Sequence, residues 1–244
     1  MNTPPLAPPA TGYPSWPVWK RWLALGNRPL RRAHRQFRAF PPLACGEAMD
    51  IGAHRGEFTE SLLCYYQARR VWLVEADPDL AEGLRQKFAA RPHCHVLHAA
   101  ITDASGSADF RINQHRASSS LLPISPISGE IFQKNLQETQ ILTVPAICLD
   151  DLFVREKIEH IDLLKIDIQG AERLLIRGGK EALKRVRWIY IEVLFEQLYQ
   201  GCALFGEIHE SLSALGFKLH LLHDFRRGHD GNLVYANALY QRIG

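Results

Sequence analysis

The sequence predicts an α/β fold with a Rossmann-like, doubly wound, seven-stranded sheet that is mostly parallel and has an antiparallel C-terminal edge strand. Apolar runs of strand length alternate with helix-like segments from residue 46 onward, which is typical of a parallel sheet covered on both faces. The last two runs are joined by the polar loop 226–231 without an intervening helix, which predicts a hairpin. The predicted strands are 47–51, 71–75, 94–99, 161–167, 187–193, 217–222 and 232–240.

Segments with helical periodicity lie between most of these runs. It predicts helices over 57–68, 78–89, 149–156, 170–185 and 204–215. A long insertion, about 104–148, lies between the third and fourth parallel strands and contains two further strand-like segments, 107–112 and 140–147. Because long insertions in compact domains are commonly functional, we expect this one above the carboxyl edge of the sheet.

Residues 1–43 are predicted to form a Pro-rich, basic arm ahead of the main domain, 44–244. Residues 1–46 contain no Asp or Glu but seven Lys or Arg, which leaves 22 basic against 26 acidic side chains in the rest of the chain. This asymmetry favours an anionic partner. Residues 18–38 space Trp and Leu at helical intervals among Arg and Lys, and three interpretations stay open: a helix packed on the domain, an interfacial membrane helix and a partner-binding segment.

The cellular location is predicted to be cytoplasmic, with residues 18–38 as the candidate for peripheral contact with the inner membrane surface. No apolar run is long enough to cross a bilayer, and the start has no signal-peptide pattern. The five cysteines are scattered and form no C-x-x-C pair, which is typical of a reducing compartment.

A glycine turn and a distant acid indicate a cofactor that contains a nucleoside. Gly52 and Gly56 follow the first strand, and Glu75 ends the second strand, 25 residues after Asp50. In a doubly wound sheet this spacing places the turn and the acid at the carboxyl ends of adjacent strands. Glycines let the backbone approach a ligand closely, and an acid at this position accepts hydrogen bonds from ribose hydroxyls.

The acid before the turn favours S-adenosylmethionine as that cofactor. The turn is not G-x-G-x-x-G, and the chain has no P-loop signature. A carboxylate at Asp50 is unfavourable next to the phosphates of a dinucleotide, whereas the ammonium group of S-adenosylmethionine pairs with a carboxylate.

At these residues the chain resembles the FkbM-type S-adenosylmethionine-dependent methyltransferases, over about residues 48–240. The resemblance rests on segments 50–59, 74–78, 99–103 with Gly106, 118–122, 149–152 and, most specifically, 162–172. It implies the class I methyltransferase fold. The chain departs from the family pattern at Gln169, where Glu is common, and at Ala236 and Asn237, where the terminal strand often carries an acid.

The resemblance also implies site residues. The turn 52–56 would wrap the methionine part of the cofactor, Asp50 would help to position it, and Glu75 would hold the ribose hydroxyls. Asp77 would lie near the adenosine, and Asp167 would face the methionine ammonium or the acceptor. The implied cofactor-binding set is Asp50, Gly52, His54, Gly56, Phe58, Thr59, Glu75, Ala76, Asp77, Ala100 and Asp167.

A hydroxyl acceptor must lose a proton during methyl transfer, which requires a general base. The catalytic candidates are Asp167 and Glu192, which end neighbouring strands, and His115, because imidazole is the side chain best suited to proton transfer near neutral pH. The resemblance points to O-methylation of a small-molecule acceptor: a hydroxyl on a sugar, a glycolipid or a secondary metabolite.

Two alternatives stay open: an NAD-dependent oxidoreductase on a similar fold, and a non-catalytic binding module that retains the cofactor fold. No nucleic-acid partner is expected. No metal is expected either, because His93 and His95 share a strand face but lack a third ligand. The sequence does not predict an oligomeric state.

Overall fold

The computed structural model describes residues 36–66, 68–132 and 136–243. The predictions for residues 1–35, which include most of the segment 18–38, lie outside this part of the chain. The strands are β1 (Glu47–Ile51), β2 (Arg70–Glu75), β3 (Cys94–His98), β4 (Ala100–Thr102), β5 (Gly106–Asn113), β6 (Glu138–Cys148), β7 (Ile161–Ile166), β8 (Val186–Leu194), β9 (Phe217–Arg227) and β10 (Leu233–Arg242). The helices are α1 (Glu57–Tyr65), α2 (Pro78–Phe88), α3 (Pro126–Phe132), α4 (Leu149–Arg155), α5 (Glu172–Arg177), α6 (Lys180–Leu183) and α7 (Phe205–Ala214), with the short 3₁₀ helix η1 (Arg116–Ser118).

The main sheet has the strand order β3-β2-β1-β7-β8-β10-β9. Strands β3, β2, β1, β7 and β8 pair in parallel, and β10 is antiparallel to both of its neighbours, β8 and β9. The predicted fold class is confirmed: the C-terminal strand is the antiparallel one, and β9, its hairpin partner, lies outside it. The strand order reverses between β1 and β7, and such a switch point opens a crevice at the carboxyl ends of the strands.

Both faces of this sheet are buried. On β8, Ile189 and Ile191 belong to the apolar cluster on one face, whereas Trp188 and Tyr190 belong to the cluster on the other face. This is the two-residue alternation of a strand. Full burial of one such side chain contributes about 1.5–3 kcal/mol, so the apolar pattern that predicts the strands also stabilises the sheet between its two helical layers.

The segment ahead of β1 packs against one of these faces. Phe37 and Phe40 are only 1% and 2% exposed. Phe37 makes edge contacts with Phe58 and Tyr66, and the ring of Phe40 lies 5.1 Å from that of Tyr190, between centroids. Burial of these two rings holds the end of the predicted arm against the domain.

The insertion and β4, which precedes it, form a second, three-stranded sheet with the order β4-β6-β5. Its two predicted strands, 107–112 and 140–147, are confirmed by β5 and β6. The strand β4 and the helix α3 are not anticipated by the sequence pattern. Both are short, with 3 and 7 residues, and segments of that length show little periodicity.

The prediction of a single helix over 170–185 is wrong. Two short helices, α5 and α6, replace it, with Gly178 and Gly179 between them. A Cβ on Gly178 would lie 2.5 Å from the carbonyl oxygen of Thr102, and a Cβ on Gly179 would lie 2.9 Å from the side chain of Leu149. The helix is interrupted because other segments pack directly against its backbone here, a tertiary effect that periodicity does not report.

The predicted end of the strand 217–222 is also wrong, since β9 continues to Arg227. Arg226 and Arg227 therefore belong to the strand and not to the hairpin loop. These residues are polar because β9 lies at the edge of the sheet, where its outer part is exposed to solvent.

The backbone conformation at Gly52 predicts a strong effect of substitution. Gly52 has a φ of +72°, and a Cβ there would lie 1.9 Å from the carbonyl oxygen of Asp167. Gly52→Ala is expected to lower the free energy of unfolding by at least about 2 kcal/mol, because β1 and the end of β7 must separate. Urea denaturation followed by circular dichroism measures this.

Gly83→Ala is the matched control. Gly83 lies within α2, and a Cβ there would meet nothing within 4 Å. This substitution is expected to raise the free energy of unfolding by about 0.5–1 kcal/mol. Equal effects of the two substitutions would contradict the close approach of β7 to the turn.

Candidate functional site

A cavity of about 430 Å³ opens at the carboxyl ends of the central strands. The insertion contributes to its wall, for example with Phe110 and Leu121. The following predicted site residues line the cavity: Gly52, His54, Phe58, Glu75, Ala76, Ala100, Asp167 and Glu192. The structure therefore brings together the turn, the acid of the second strand and the two strand-end carboxylates.

Glu75 is held in one orientation at the cavity wall. It is 5% exposed, and its two oxygens accept hydrogen bonds from the backbone N–H groups of His54 (2.7 Å) and Asp77 (2.9 Å). Burial raises the pKa of Glu75, and these two N–H groups oppose that shift. Each carboxylate oxygen can accept more than one hydrogen bond, so both oxygens of Glu75 retain a lone pair for the hydroxyls of a ribose.

Lys165 is the cation at the centre of the site. Its Nζ donates to the carbonyl oxygen of Gly52 (2.6 Å) and lies 3.2 Å from Asp50 Oδ1 and 3.6 Å from Asp167 Oδ2. Burial lowers the pKa of Lys165, but Asp50 and Asp167 outweigh burial and raise it, so the amine stays charged at neutral pH.

Two of the implied cofactor residues lie behind the turn and not in the cavity wall. Asp50 is fully buried, and its Oδ2 accepts a hydrogen bond of 2.8 Å from the hydroxyl of Thr59 in α1. Neither side chain lines the cavity. In this position Asp50 is joined to the cavity through Lys165, which lines it.

Gly56 and Asp77 also lie outside the cavity lining. Gly56 has a φ of +73°, and a Cβ there would lie 2.6 Å from the ring of Phe88. Together with the contact at Gly52, this shows that packing between protein segments requires a glycine at both positions. Asp77 caps α2 and accepts two hydrogen bonds from Arg116, which joins the insertion to the cofactor side of the cavity.

His115 is not brought together with the two carboxylates. It is exposed, precedes η1 and does not line the cavity. Its neighbour Arg116 lines the cavity instead, and the pairing of Arg116 with Asp77 and Asp79 explains this arrangement.

Gln169 is a site residue that sequence reasoning left without a role. Its Nε2 donates to Asp167 Oδ1 (2.6 Å) and to Glu192 Oε1 (3.2 Å), and its Oε1 accepts a hydrogen bond from the hydroxyl of Tyr199 (2.7 Å). The amide therefore bridges the two strand-end carboxylates. The signal that points to this position is the segment 162–172, in which Gln169 departs from the family pattern.

The carboxylates at this end of the cavity differ in their electrostatics. Burial, and after it the charges of Asp167 and Glu172, raise the pKa of Glu192 well above its ordinary value. Burial likewise raises the pKa of Glu172 to about 7, although Glu172 accepts hydrogen bonds from two backbone N–H groups, those of Ile168 and Gly170. Glu192 is thus a carboxylate that takes up a proton more readily than an exposed one.

The cavity fits a nucleoside cofactor without phosphates. Glu75 offers acceptor oxygens for a ribose, and Asp167, with a side chain 36% exposed, offers a carboxylate for an ammonium group. The helix after the turn, α1, carries Glu57 and Glu60 in its first turn, where a pyrophosphate would require the opposite charge. Within the described residues, no group of three or more His, Cys, Asp or Glu side chains is arranged to hold a metal ion.

The strand order and the cavity at its switch point define a class I methyltransferase fold. The sequence model of the "Methyltransferase FkbM domain" family matches residues 50–219, which include the turn, Glu75, Asp167 and Glu192. The chain therefore belongs to the FkbM methyltransferase family, and it is an enzyme that transfers a methyl group. The recognition made from the sequence is confirmed.

Two proteins are similar to this chain, one in sequence and one in fold. NoeI, a 2-O-methyltransferase of Sinorhizobium fredii (strain NBRC 101917 / NGR234), is 28% identical over 215 residues, which cover 85% of this chain and 86% of NoeI. Methyltransferase FkbM from Methylobacillus flagellatus KT has a crystal structure with a TM-score of 0.54 and 15% identity, covering 86% of this chain and 47% of that one. This chain thus spans about half the length of the crystallised protein. The family is one of methyltransferases, so the oxidoreductase alternative is not favoured.

The buried carboxyl of Glu172 predicts a pH dependence of stability. Its pKa is about 7 in the folded protein against an ordinary 4.5, so the folded state retains a proton that the unfolded state has lost. This group lowers the free energy of unfolding as the pH rises from about 4.5 to 7, by an amount on the order of 3 kcal/mol, with no further change above that range. Glu172→Gln should remove this contribution, because the amide oxygen still accepts the two N–H groups.

Urea denaturation between pH 5 and pH 8 measures the effect as a difference between the wild type and the variant. Glu159→Gln, at an exposed position ahead of β7, is the matched control and should leave the pH profile unchanged. A constant difference between Glu172→Gln and the wild type across this range would contradict the raised pKa.

Proposed function

We propose that the protein transfers the methyl group of S-adenosylmethionine to a hydroxyl of a sugar, a glycolipid or a secondary metabolite. One observation carries the proposal: a single cavity is lined by Glu75 on one side and by the carboxylates of Asp167 and Glu192 on the other. The first group suits a ribose, and the second pair suits an ammonium group and a proton.

The cofactor is held by residues at the carboxyl ends of β1, β2 and β7. Glu75 binds the ribose hydroxyls, the backbone of Gly52 and His54 borders the amino acid part, and Asp167 binds the ammonium group. Ala76 and Ala100 border the adenine, where their small side chains leave room for a flat ring. When bound, S-adenosylmethionine supplies a methyl group on a sulfonium, which is a good leaving group, so the protein's main task is to align the reactants.

Glu192 is proposed as the general base. In the transfer, the acceptor oxygen forms a bond to the methyl carbon, the carbon–sulfur bond breaks, the hydroxyl proton passes to Glu192, and S-adenosylhomocysteine leaves. The raised pKa of Glu192 makes its carboxylate a stronger base. Gln169 holds the same carboxylate in place by donating a hydrogen bond to it, which opposes part of the rise in the pKa of Glu192.

The class of acceptor rests on the family resemblance and on the name of NoeI, which specifies a 2-O-methyltransferase.

The arm is proposed to make peripheral contact with an anionic membrane surface, because residues 1–46 are basic without any acid. None of the helices in the described residues is long and apolar enough to cross a membrane.

Calorimetric titration tests the cofactor. We expect S-adenosylmethionine and S-adenosylhomocysteine to bind at micromolar concentrations and NAD to bind much more weakly. Glu75→Gln should weaken the binding of S-adenosylhomocysteine at least about tenfold, because the amide replaces one acceptor oxygen with a donor. Glu130→Gln, on an exposed part of α3, is the control and should bind as the wild type does. Tighter binding of NAD than of S-adenosylmethionine would contradict the proposed function.

The pH dependence of turnover tests the base. With an acceptor found by screening hydroxylated sugars and metabolites for methyl incorporation, kcat/KM should fall as the pH drops through the raised pKa of Glu192. Glu192→Gln should lower kcat by about 10²–10⁴-fold while leaving the affinity for S-adenosylhomocysteine unchanged. Asp103→Asn, on an exposed turn after β4, is the control. If Glu192→Gln retains full turnover, Glu192 is not the base.

Liposome flotation tests the arm. The full chain should float with vesicles that contain phosphatidylserine and should be released by high salt, because the attraction is electrostatic. A chain that starts at Gln36 retains Phe37 and Phe40 and is expected to stay in the unbound fraction. Equal flotation of the two chains would contradict membrane contact through the arm.

A further inference from the structure

We propose an acceptor subsite at the β9–β10 end of the cavity that binds the uncharged hydroxyl groups of a saccharide. Its members are Gln36, Tyr190, Asp224 and Asn237, all of which line the cavity. This inference rests on the proposed function, because it takes the other end of the cavity as the place of the cofactor.

The strand order separates the two ends. Glu75 lies on β2 and Asp224 on β9, and the order β2-β1-β7-β8-β10-β9 puts five strand steps between them. At about 4.8 Å a step, this is a distance of roughly 24 Å along the sheet edge. A cofactor with its ribose at Glu75 and its ammonium group at Asp167 occupies the edge over β2, β1 and β7. The edge over β8, β10 and β9 is left for the acceptor.

A β-bulge in β9 sets the direction of the Asp224 side chain. His223 pairs with Asn237, and the next pair in the register is Arg226 with Tyr235, so two residues of β9 stand opposite one residue of β10. Asp224 is the first of those two, and its φ is +53°. Bulges near active sites change the direction of a side chain, and this one places Asp224 at the cavity.

Backbone strain is concentrated around the cavity. Within the described ranges, the residues other than glycine with positive φ are His54, Lys157, Gln169 and Asp224. All of these except Lys157 line the cavity. Such conformations cost on the order of 1–3 kcal/mol each and persist where the surroundings impose them, commonly at ligand sites. Asp224 therefore has the same backbone signature as two residues of the cofactor and base region.

The segment ahead of β1 completes the subsite. Gln36 and Tyr190 both line the cavity, and the buried rings of Phe37 and Phe40 anchor the segment that carries Gln36. Phe40 and Phe58 pack on the ring of Tyr190, so the ring has no open face for stacking on a ligand. Recognition at this end therefore relies on hydrogen bonds.

Asn237 links the subsite to the base. It pairs with Glu192 across β8 and β10, and side chains in such a pair lie about 4.5–5.5 Å apart at Cβ. A hydroxyl bound by the amide of Asn237 is thus held next to the carboxylate that accepts its proton. At this point the family often has an acid, and the amide here supplies both a donor and an acceptor for sugar hydroxyls.

The charges favour a neutral acceptor group. Glu192 and Asp224 are the acidic residues of β8 and β9 that line the cavity, and Asp167 lies beside Glu192, joined to it by the amide of Gln169. The basic residues that line the described cavity are Arg55, Arg116 and Lys165, and none of them lies on β8, β9 or β10. An anionic group next to these three acids would be repelled, whereas hydroxyls donate charge-assisted hydrogen bonds to them.

Saturation-transfer NMR on the protein saturated with S-adenosylhomocysteine tests the subsite. The probes are the methyl glycosides of glucose, galactose and mannose, with methyl glucuronide as the anionic counterpart of methyl glucoside. We expect at least one neutral glycoside to bind, and methyl glucuronide to bind more weakly than methyl glucoside. Asp224→Gly retains the bulge conformation while removing the carboxylate, and it should weaken glycoside binding at least about fivefold. Gln36→Ala should weaken it in the same direction.

Lys157→Gly is the matched control, since Lys157 has the same backbone conformation but lies outside the cavity lining. It should bind the glycosides as the wild type does, and all the variants should bind S-adenosylhomocysteine with unchanged affinity. If S-adenosylhomocysteine binds but no glycoside does, or if Asp224→Gly binds glycosides normally, the subsite is wrong. If S-adenosylhomocysteine itself fails to bind the wild type, the proposed function fails instead.

Discussion

The ammonium group of Lys165 is the interaction on which the cavity depends. It donates to the carbonyl oxygens of Ile51 and Gly52 and lies between the carboxylates of Asp50 and Asp167. These groups belong to β1, to the turn and to the end of β7, so one buried cation ties together the two strands at which the sheet order reverses. Removal of one partner of a buried ion pair costs about 3–5 kcal/mol. Loss of the Lys165 charge would therefore destabilise the packing of β1 against β7 at the switch point.

From this centre a chain of polar contacts extends toward β8. Asp167 accepts a hydrogen bond from Gln169, Gln169 also donates to Glu192, and Tyr199 donates to the amide oxygen of Gln169. The hydroxyl of Tyr199 therefore fixes which end of the amide faces the carboxylates. The two carboxyl groups along this edge therefore differ in their electrostatic surroundings: Asp167 is paired with the charge of Lys165, whereas Glu192 has a pKa well above its ordinary value. Cofactor binding and proton transfer need these two different kinds of carboxylate.

Much of this could be predicted from the sequence, because the strands are apolar runs and the acids lie at or near their carboxyl ends. The positions of Glu75, Asp167 and Glu192 at the cavity follow from that rule alone. What the sequence did not reveal depends on contacts between distant segments. The break at Gly178 comes from the backbone of Thr102, the bulge at Asp224 comes from the register with β10, and the burial of Asp50 comes from Thr59 and Lys165. Such contacts leave no local periodicity.

A crystal structure of the protein with S-adenosylhomocysteine is the most direct test of the proposed reaction geometry. We expect the ribose hydroxyls on Glu75, the amino group beside Asp167 and the sulfur facing Glu192, with the β9–β10 end of the cavity left open. A ligand bound in the reverse direction, or one that fills the space between Glu192 and Asp224, would contradict both the assignment of the base and the acceptor subsite.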